Sequence, residues 1–313
     1  MKRGLLALSM TGAICSIASI AMAGAYGEEE TAVEQPAAAP VEAAKAEEVK
    51  VEKVDVFRRW AAFSTDAETS RGLWIEAGMI HAHEGFLQDK PGEGEHDQIS
   101  SFLRVAYGQE LWEAGAEVSY DWYRQEFDTL LGDVDDDDHG FGDLEMFGKV
   151  IPLRTKYVDL GGGLVISAPT GEADFRGFQN YRGSFTTDEW GFDPFVTAGF
   201  HAGPLHVRTS FGYQVYTGFN DYDGLDYNAT ILLPIGDMLV FRSEFDGFHF
   251  FDDSRGTIYA HKDEVLDWVP GFDIRIPVGD AEFLIRPTGT VGLTADSRDW
   301  GAGISFAFTG IGG

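Results

Sequence analysis

Between residues 72 and 308 apolar and polar positions alternate with period two, the mark of strands that keep one face apolar and the other wet. The clearest stretch sets Trp112, Ala114, Ala116, Val118, Tyr120 and Trp122 on one side and Glu113, Gly115, Glu117, Ser119 and Asp121 on the other. A half-buried sheet can produce this once. Here it recurs: Leu205, Val207, Phe211 and Tyr213 oppose His206, Arg208, Ser210 and Gln214, and Trp300, Ala302, Ile304 and Phe306 oppose Gly301, Gly303, Ser305 and Ala307. About twelve such segments follow one another, from Leu73 onward, each near the length that crosses a bilayer at a tilt.

What separates the segments points the same way. Short connections at 109–110, 153–156, 202–204, 234–237 and 277–281 alternate with longer polar stretches at 88–99, 128–141, 169–190, 218–224, 252–264 and 295–298. Outer-membrane barrels have short periplasmic turns and long external loops. The sequence therefore predicts an all-β fold: a transmembrane up-and-down antiparallel β-barrel of about twelve strands in the outer membrane of a Gram-negative bacterium, with both termini periplasmic. Trp112 and Trp122, at opposite ends of one strand, suit the aromatic girdles of such a barrel. Pro194, Pro270 and Pro287 cannot donate to a ladder, so bulges are expected there.

The chain ahead of the barrel reads differently. Lys2 and Arg3, an apolar stretch over 5–20 and Ala21-Met22-Ala23 form a signal peptide over 1–23, which would carry away Cys15, the one cysteine. Residues 24–71 are rich in Ala, Glu, Pro and Val, a composition unable to build a core, and read as a flexible periplasmic tether. Within it Val54, Phe57 and Ala61 share helical spacing, which leaves a short interfacial or plugging helix near 51–63 as a second reading. The barrel is placed at 72–308 and a C-terminal tail at 309–313.

Charge bears on function. A formal net charge of -29 argues against a nucleic-acid partner, since phosphates are bound by clustered Lys and Arg. The face predicted to line the lumen carries Arg104, Glu113, Glu117, Asp121, Glu145, Lys149, Arg208, Arg242, Glu244, Asp273, Arg275 and Arg286, together with Glu76, Asp143, Asp159, Asp193, Asp226, Asp246, Asp267 and Glu282. Acids exceed bases, so an open lumen would favour cations. The alternative is that acids and bases pair across strands and fill a narrow barrel. The longest loop, 169–190, holds Phe175, Arg176, Phe178 and Tyr181, which could fold into the mouth as a gate or simply cover it.

Two chemical readings are weak. Asp133, Asp135 and Asp137 are spaced like calcium ligands, but Asp138 stands where Gly is needed and Leu144 where the bidentate Glu belongs. A lipid hydrolase would need Ser and His together on the outer wall; Ser243 and His249 share a strand but lie roughly 20 Å apart in extended chain. No enzyme activity and no cofactor are expected.

Three segments carry a family resemblance: Gly140-Phe141-Gly142-Asp143-Leu144-Glu145-Met146-Phe147-Gly148-Lys149, then Ser167-Ala168-Pro169-Thr170-Gly171, then Trp190-Gly191-Phe192-Asp193-Pro194-Phe195. With the strands that follow, the chain resembles the outer-membrane barrels named for the MetA pathway of phenol degradation. The resemblance implies a transporter, and hydrophobic or aromatic compounds as its solutes. Such barrels commonly end on an aromatic residue, whereas here Thr309-Gly310-Ile311-Gly312-Gly313 follow Phe308. The expected role is passive passage of small solutes, with outer-membrane lipid and the barrel-assembly machinery as partners. The competing class is a non-conducting structural or surface-binding barrel.

Overall fold

The computed structural model describes residues 67, 69–86, 94–129, 132–171, 189–217, 223–250, 264–294, 297 and 299–311. The signal peptide, almost all of the tether, the helix expected near 51–63 and the gate residues Phe175, Arg176, Phe178 and Tyr181 lie outside the described residues.

Thirteen strands form one antiparallel sheet: β1 (Gly72–Phe86), β2 (Gly94–Gln109), β3 (Trp112–Thr129), β4 (Gly132–Phe141), β5 (Leu144–Arg154), β6 (Val158–Ala168), β7 (Gly191–Ala202), β8 (Leu205–Tyr216), β9 (Gly224–Ile235), β10 (Leu239–Phe250), β11 (Glu264–Val278), β12 (Ala281–Gly292) and β13 (Trp300–Ile311). Each strand pairs with the next except that β3 pairs with both β4 and β5, and β13 returns to β1, so the sheet closes on itself. β4 and β5 share one place in the wall. β3 pairs with β5 over its first half and with β4 over its second, the two partners meeting at Gly142-Asp143. The barrel thus has twelve positions, as the alternation predicts.

Inward and outward faces also follow the alternation. Met79, Leu103, Val196, Phe211 and Phe306 stand exposed on the outer wall, while Glu76, Arg208, Arg242 and Arg286 are buried within. This inverts a soluble protein and matches a wall that meets lipid. Tyr107 and Trp112 lie 5.9 Å apart, ring centre to ring centre, near the short turns. Tyr120 and Phe141 make an edge-on pair at 5.1 Å towards the other end.

The short turns fall at 110–111, 155–157, 203–204, 236–238 and 279–280. Gly203 and Gly279 open their two-residue turns at φ of 61° and 65°, the left-handed backbone that lets a tight hairpin follow the strand twist.

Three expectations need correction. Residues 94–99, 128–129 and 132–141 are not loops: β2 begins at Gly94, and β3 and β4 pair from Tyr120↔Phe141 to Thr129↔Gly132. Both strand pairs continue past the apolar band, where neither face needs to be apolar and the period-two signal disappears. The prolines produce no bulges at Pro194, Pro270 and Pro287. Register is the same on both sides of each, with bridges simply missing, as between Trp268↔Val291 and Gly271↔Thr288. The register does shift in β5 across Pro152, between Val150 and Leu153. Finally, 309–311 continue β13, where Gly310 at φ 92° is the extra residue of a bulge opposite Leu73 and Trp74.

Candidate functional site

The lumen is layered, and each layer follows from which residue an inward strand position carries. At the short-turn end the chain entering β1 crosses the mouth. Ala67, Thr69 and Ser70 are all buried. The Thr69 hydroxyl donates to the Glu110 carbonyl at 3.2 Å and accepts from Arg154 Nη2 at 2.9 Å; the Ser70 amide donates to Glu113 Oε2. Ala67 lies against Gly199 of β7, on the far side of the sheet order from β1. The end of the predicted tether is therefore a strap tied to β3, β5 and β7.

The next layer is apolar. Trp74, Ala106, Phe147, Leu284 and Ala307 form one buried cluster, with Val165 packed against it. Sequence reading missed this layer, because these positions alternate with the outward residues and were passed over in favour of charges. The signal was available in Trp74 and Phe147, large apolar residues on the face that otherwise carries Glu76 and Lys149.

Above it lies a lattice of charges centred on Glu76 of β1. Its Oε1 accepts from Arg286 Nη1 at 2.8 Å and Ser305 Oγ at 2.5 Å; its Oε2 accepts from Trp74 Nε1 at 3.2 Å and Arg104 Nη1 at 3.4 Å. Arg286 Nε donates to Asp273 Oδ1 at 3.1 Å, and Arg104 Nε donates to Glu117 at 2.5 Å. Arg242 Nε stands 3.9 Å from the same Asp273 oxygen. Glu76, Arg242 and Arg286 are each 0% exposed, so packed side chains fill this side of the lumen. The other predicted lining residues also point inward: Lys149 Nζ is 3.9 Å from Glu113 Oε1, Arg275 pairs with Glu282, Asn228 donates to Glu244 at 3.1 Å, and Arg208 is buried.

Glu117, Ser119, Gly142, Asp143, Glu145, Ser167 and Tyr216 line a cavity of about 230 Å³. Its three carboxylates make it an acidic chamber, and one of them, Glu117, also reaches Arg104 of the lattice. Just beyond, Asp121 accepts from Ser100 Oγ at 2.5 Å, Ser119 Oγ at 2.7 Å and Gln98 Nε2 at 3.3 Å.

The chamber wall explains two of the motifs behind the family resemblance. Asp143 Oδ1 accepts from the amides of Thr170 and Gly171, both at 3.1 Å, while Thr170 Oγ1 accepts from the Leu144 amide at 2.9 Å. The Gly-Asp-Leu and Pro-Thr-Gly segments form a clasp at the point where β4 gives way to β5. Asp143→Ala is expected to leave the barrel folded but to speed hydrogen exchange at the Thr170 and Gly171 amides several-fold, read by mass spectrometry of the folded barrel in detergent.

Other expectations find less support. β4 is an extended strand, which spaces alternate residues by roughly 7 Å and does not wrap an ion as a calcium loop does; Asp133, Asp135 and Asp137 lie on it, with Asp137 exposed. Among the described residues, no group of three or more His, Cys, Asp or Glu is arranged to hold a metal ion. Ser243 Oγ accepts from the Trp268 indole at 2.9 Å on the outer wall. Also on that wall, His81 and His83 share Asp97 Oδ1 at 3.2 and 3.0 Å beside Trp300.

A closed twelve-position barrel, apolar outside and charged within, decides the fold class. This is the fold of an outer-membrane barrel. Among solved structures the chain is similar to the COG4313 outer membrane channel from Pseudomonas putida F1, with a TM-score of 0.55 and 12% identity over 76% of this chain and 95% of that one. It also matches the transport unit of the autotransporter AIDA-I from Escherichia coli (TM-score 0.48, 7% identity, 76% and 89% covered). The translocator domain of autotransporter NalP from Neisseria meningitidis follows (0.46, 11%, 77% and 88%). No family model matches the chain, and no curated protein matches it by sequence. At these identities the likeness concerns the barrel itself.

Proposed function

We propose that this barrel is a passive outer-membrane channel for small solutes, a member of the MetA-pathway family it resembles, with the short turns and both termini in the periplasm. The observation that carries this reading is the acidic chamber: a cavity of about 230 Å³ within the lumen, lined by Glu117, Asp143 and Glu145 among others. Glu117 also reaches Arg104, yet a structural role alone does not call for three carboxylates gathered around one internal void. Hydrophobic or aromatic solutes, as the resemblance implies, would meet Trp74, Phe147, Val165 and Leu284 beyond the chamber. The solved channel from Pseudomonas putida F1 supports a channel role by its fold.

A second reading, a barrel that does not conduct, is favoured by the fully buried lattice around Glu76 and Arg286. Planar-bilayer recording under a potassium chloride gradient separates the two. The channel is expected to give steady, cation-preferring steps, and Glu117→Gln with Glu145→Gln to remove roughly half of the reversal potential. A folded but silent barrel would establish the second reading.

A further inference from the structure

A second cluster of functional side chains lies outside the chamber, at the short-turn end of the lumen. His201 of β7 and His206 of β8 are a directly opposed cross-strand pair flanking the Gly203-Pro204 turn. Their Nδ1 atoms are 2.8 Å apart, with ring planes at 74°. On the other side of His201, Nε2 lies 3.0 Å from Asp159 Oδ2 of β6. All three point into the barrel, and His206 and Asp159 are buried.

Proton placement follows from this chain of contacts. A carboxylate only accepts, so His201 carries its proton on Nε2 and presents a lone pair at Nδ1. His206 Nδ1 then donates to it. A carboxylate behind one imidazole, holding its far N–H while the near nitrogen stays basic, is the outer-shell arrangement found behind metal-bound histidines. Among divalent first-row ions, a site of imidazole nitrogens holds Cu²⁺ most tightly.

We propose that His201 and His206 form a two-imidazole site for a divalent first-row ion, Cu²⁺ above the others, with Asp159 as its orienting group and water completing the coordination. Binding requires the rings to swing until both Nδ1 lone pairs meet at one point, while the strands keep their separation. The His206 proton moves from Nδ1 to Nε2, so both imidazoles bind in neutral form and no net charge is lost. Arg208, the next inward residue on β8, opposes a cation and Asp159 offsets it. The site adjoins the strap, since Gly199 lies between Ala67 and His201. An ion there would sit where the strap crosses the lumen.

The test uses the untagged, full-length barrel, folded in detergent, with Cu²⁺ as the probe in excess magnesium to occupy surface carboxylates. Folding of every variant is checked by unheated gel mobility. Expected are one equivalent of bound Cu²⁺ and an electron paramagnetic resonance signature of two imidazole nitrogens. His201→Ala and His206→Ala, or His206→Asn should the alanine variant not fold, are expected to abolish that signature. Asp159→Asn is expected to weaken binding about tenfold or more while keeping both nitrogens, and His81→Ala on the outer wall to change nothing. The proposal is overturned if the folded parent binds no Cu²⁺, if binding survives His201→Ala, or if it is His81→Ala that removes it.

Discussion

Arg286→Met is expected to lower the stability of the barrel by about 3–5 kcal/mol, because breaking a buried ion pair leaves its partner charged and dry. Arg286 is 0% exposed and serves two carboxylates, Glu76 Oε1 at 2.8 Å and Asp273 Oδ1 at 3.1 Å. Removing it strands both, and the remaining cations do not replace it: Arg104 touches Glu76 at 3.4 Å and Arg242 stands 3.9 Å from Asp273. Reversible urea unfolding in detergent micelles measures the loss. The triple variant Glu76→Gln, Asp273→Asn, Arg286→Met is expected to recover most of it, since a network removed whole leaves no uncompensated charge. A single variant within about 1 kcal/mol of the parent would mean that water reaches the lattice, and the filled side of the lumen would have to be redrawn.

The distance between the sequence pattern and the lattice shows what alternation can and cannot reveal. Period two fixes which face each residue takes, and Glu76, Arg104, Arg242, Asp273 and Arg286, all on the face read as inward, are buried. It does not fix which strand offset brings them together. That depends on register around the closed sheet, which sets Glu76 opposite Arg104 on β2 and Ala307 on β13. The acidic chamber was hidden for the same reason. Glu117 and Glu145 are paired across β3 and β5, but Asp143 joins them only because β4 leaves the wall at Gly142. The extended strand pairs were misread for the opposite cause: beyond the apolar band a strand no longer needs an apolar face, so 94–99, 128–129 and 132–141 carry the composition of loops while keeping a ladder. The strap escaped notice because Ala67, Thr69 and Ser70 are small residues ending a low-complexity stretch, and their partners, Glu110, Glu113 and Arg154, are far along the chain.

Trp74→Ala is expected to raise single-channel conductance several-fold while lowering stability by about 3–5 kcal/mol, the usual cost of deleting a buried indole. Trp74 is the largest side chain of the apolar layer and is 0% exposed; its N–H donates to Glu76 Oε2 at 3.2 Å, and the Arg286 guanidinium lies 5.8 Å above its ring. Narrow apolar rings impede ions by excluding water, so a layer built of Trp74, Phe147, Val165 and Leu284 is a stronger barrier than the charged layer above it. Removing the indole opens a void beside Glu76, whose freed oxygen would hold water there. Comparison with Phe147→Ala locates the barrier. If both variants raise conductance, the apolar layer is the constriction. If neither does while both remain folded, the constriction lies at the strap, and Ser70→Pro, which removes the amide that donates to Glu113, becomes the variant expected to open the pore.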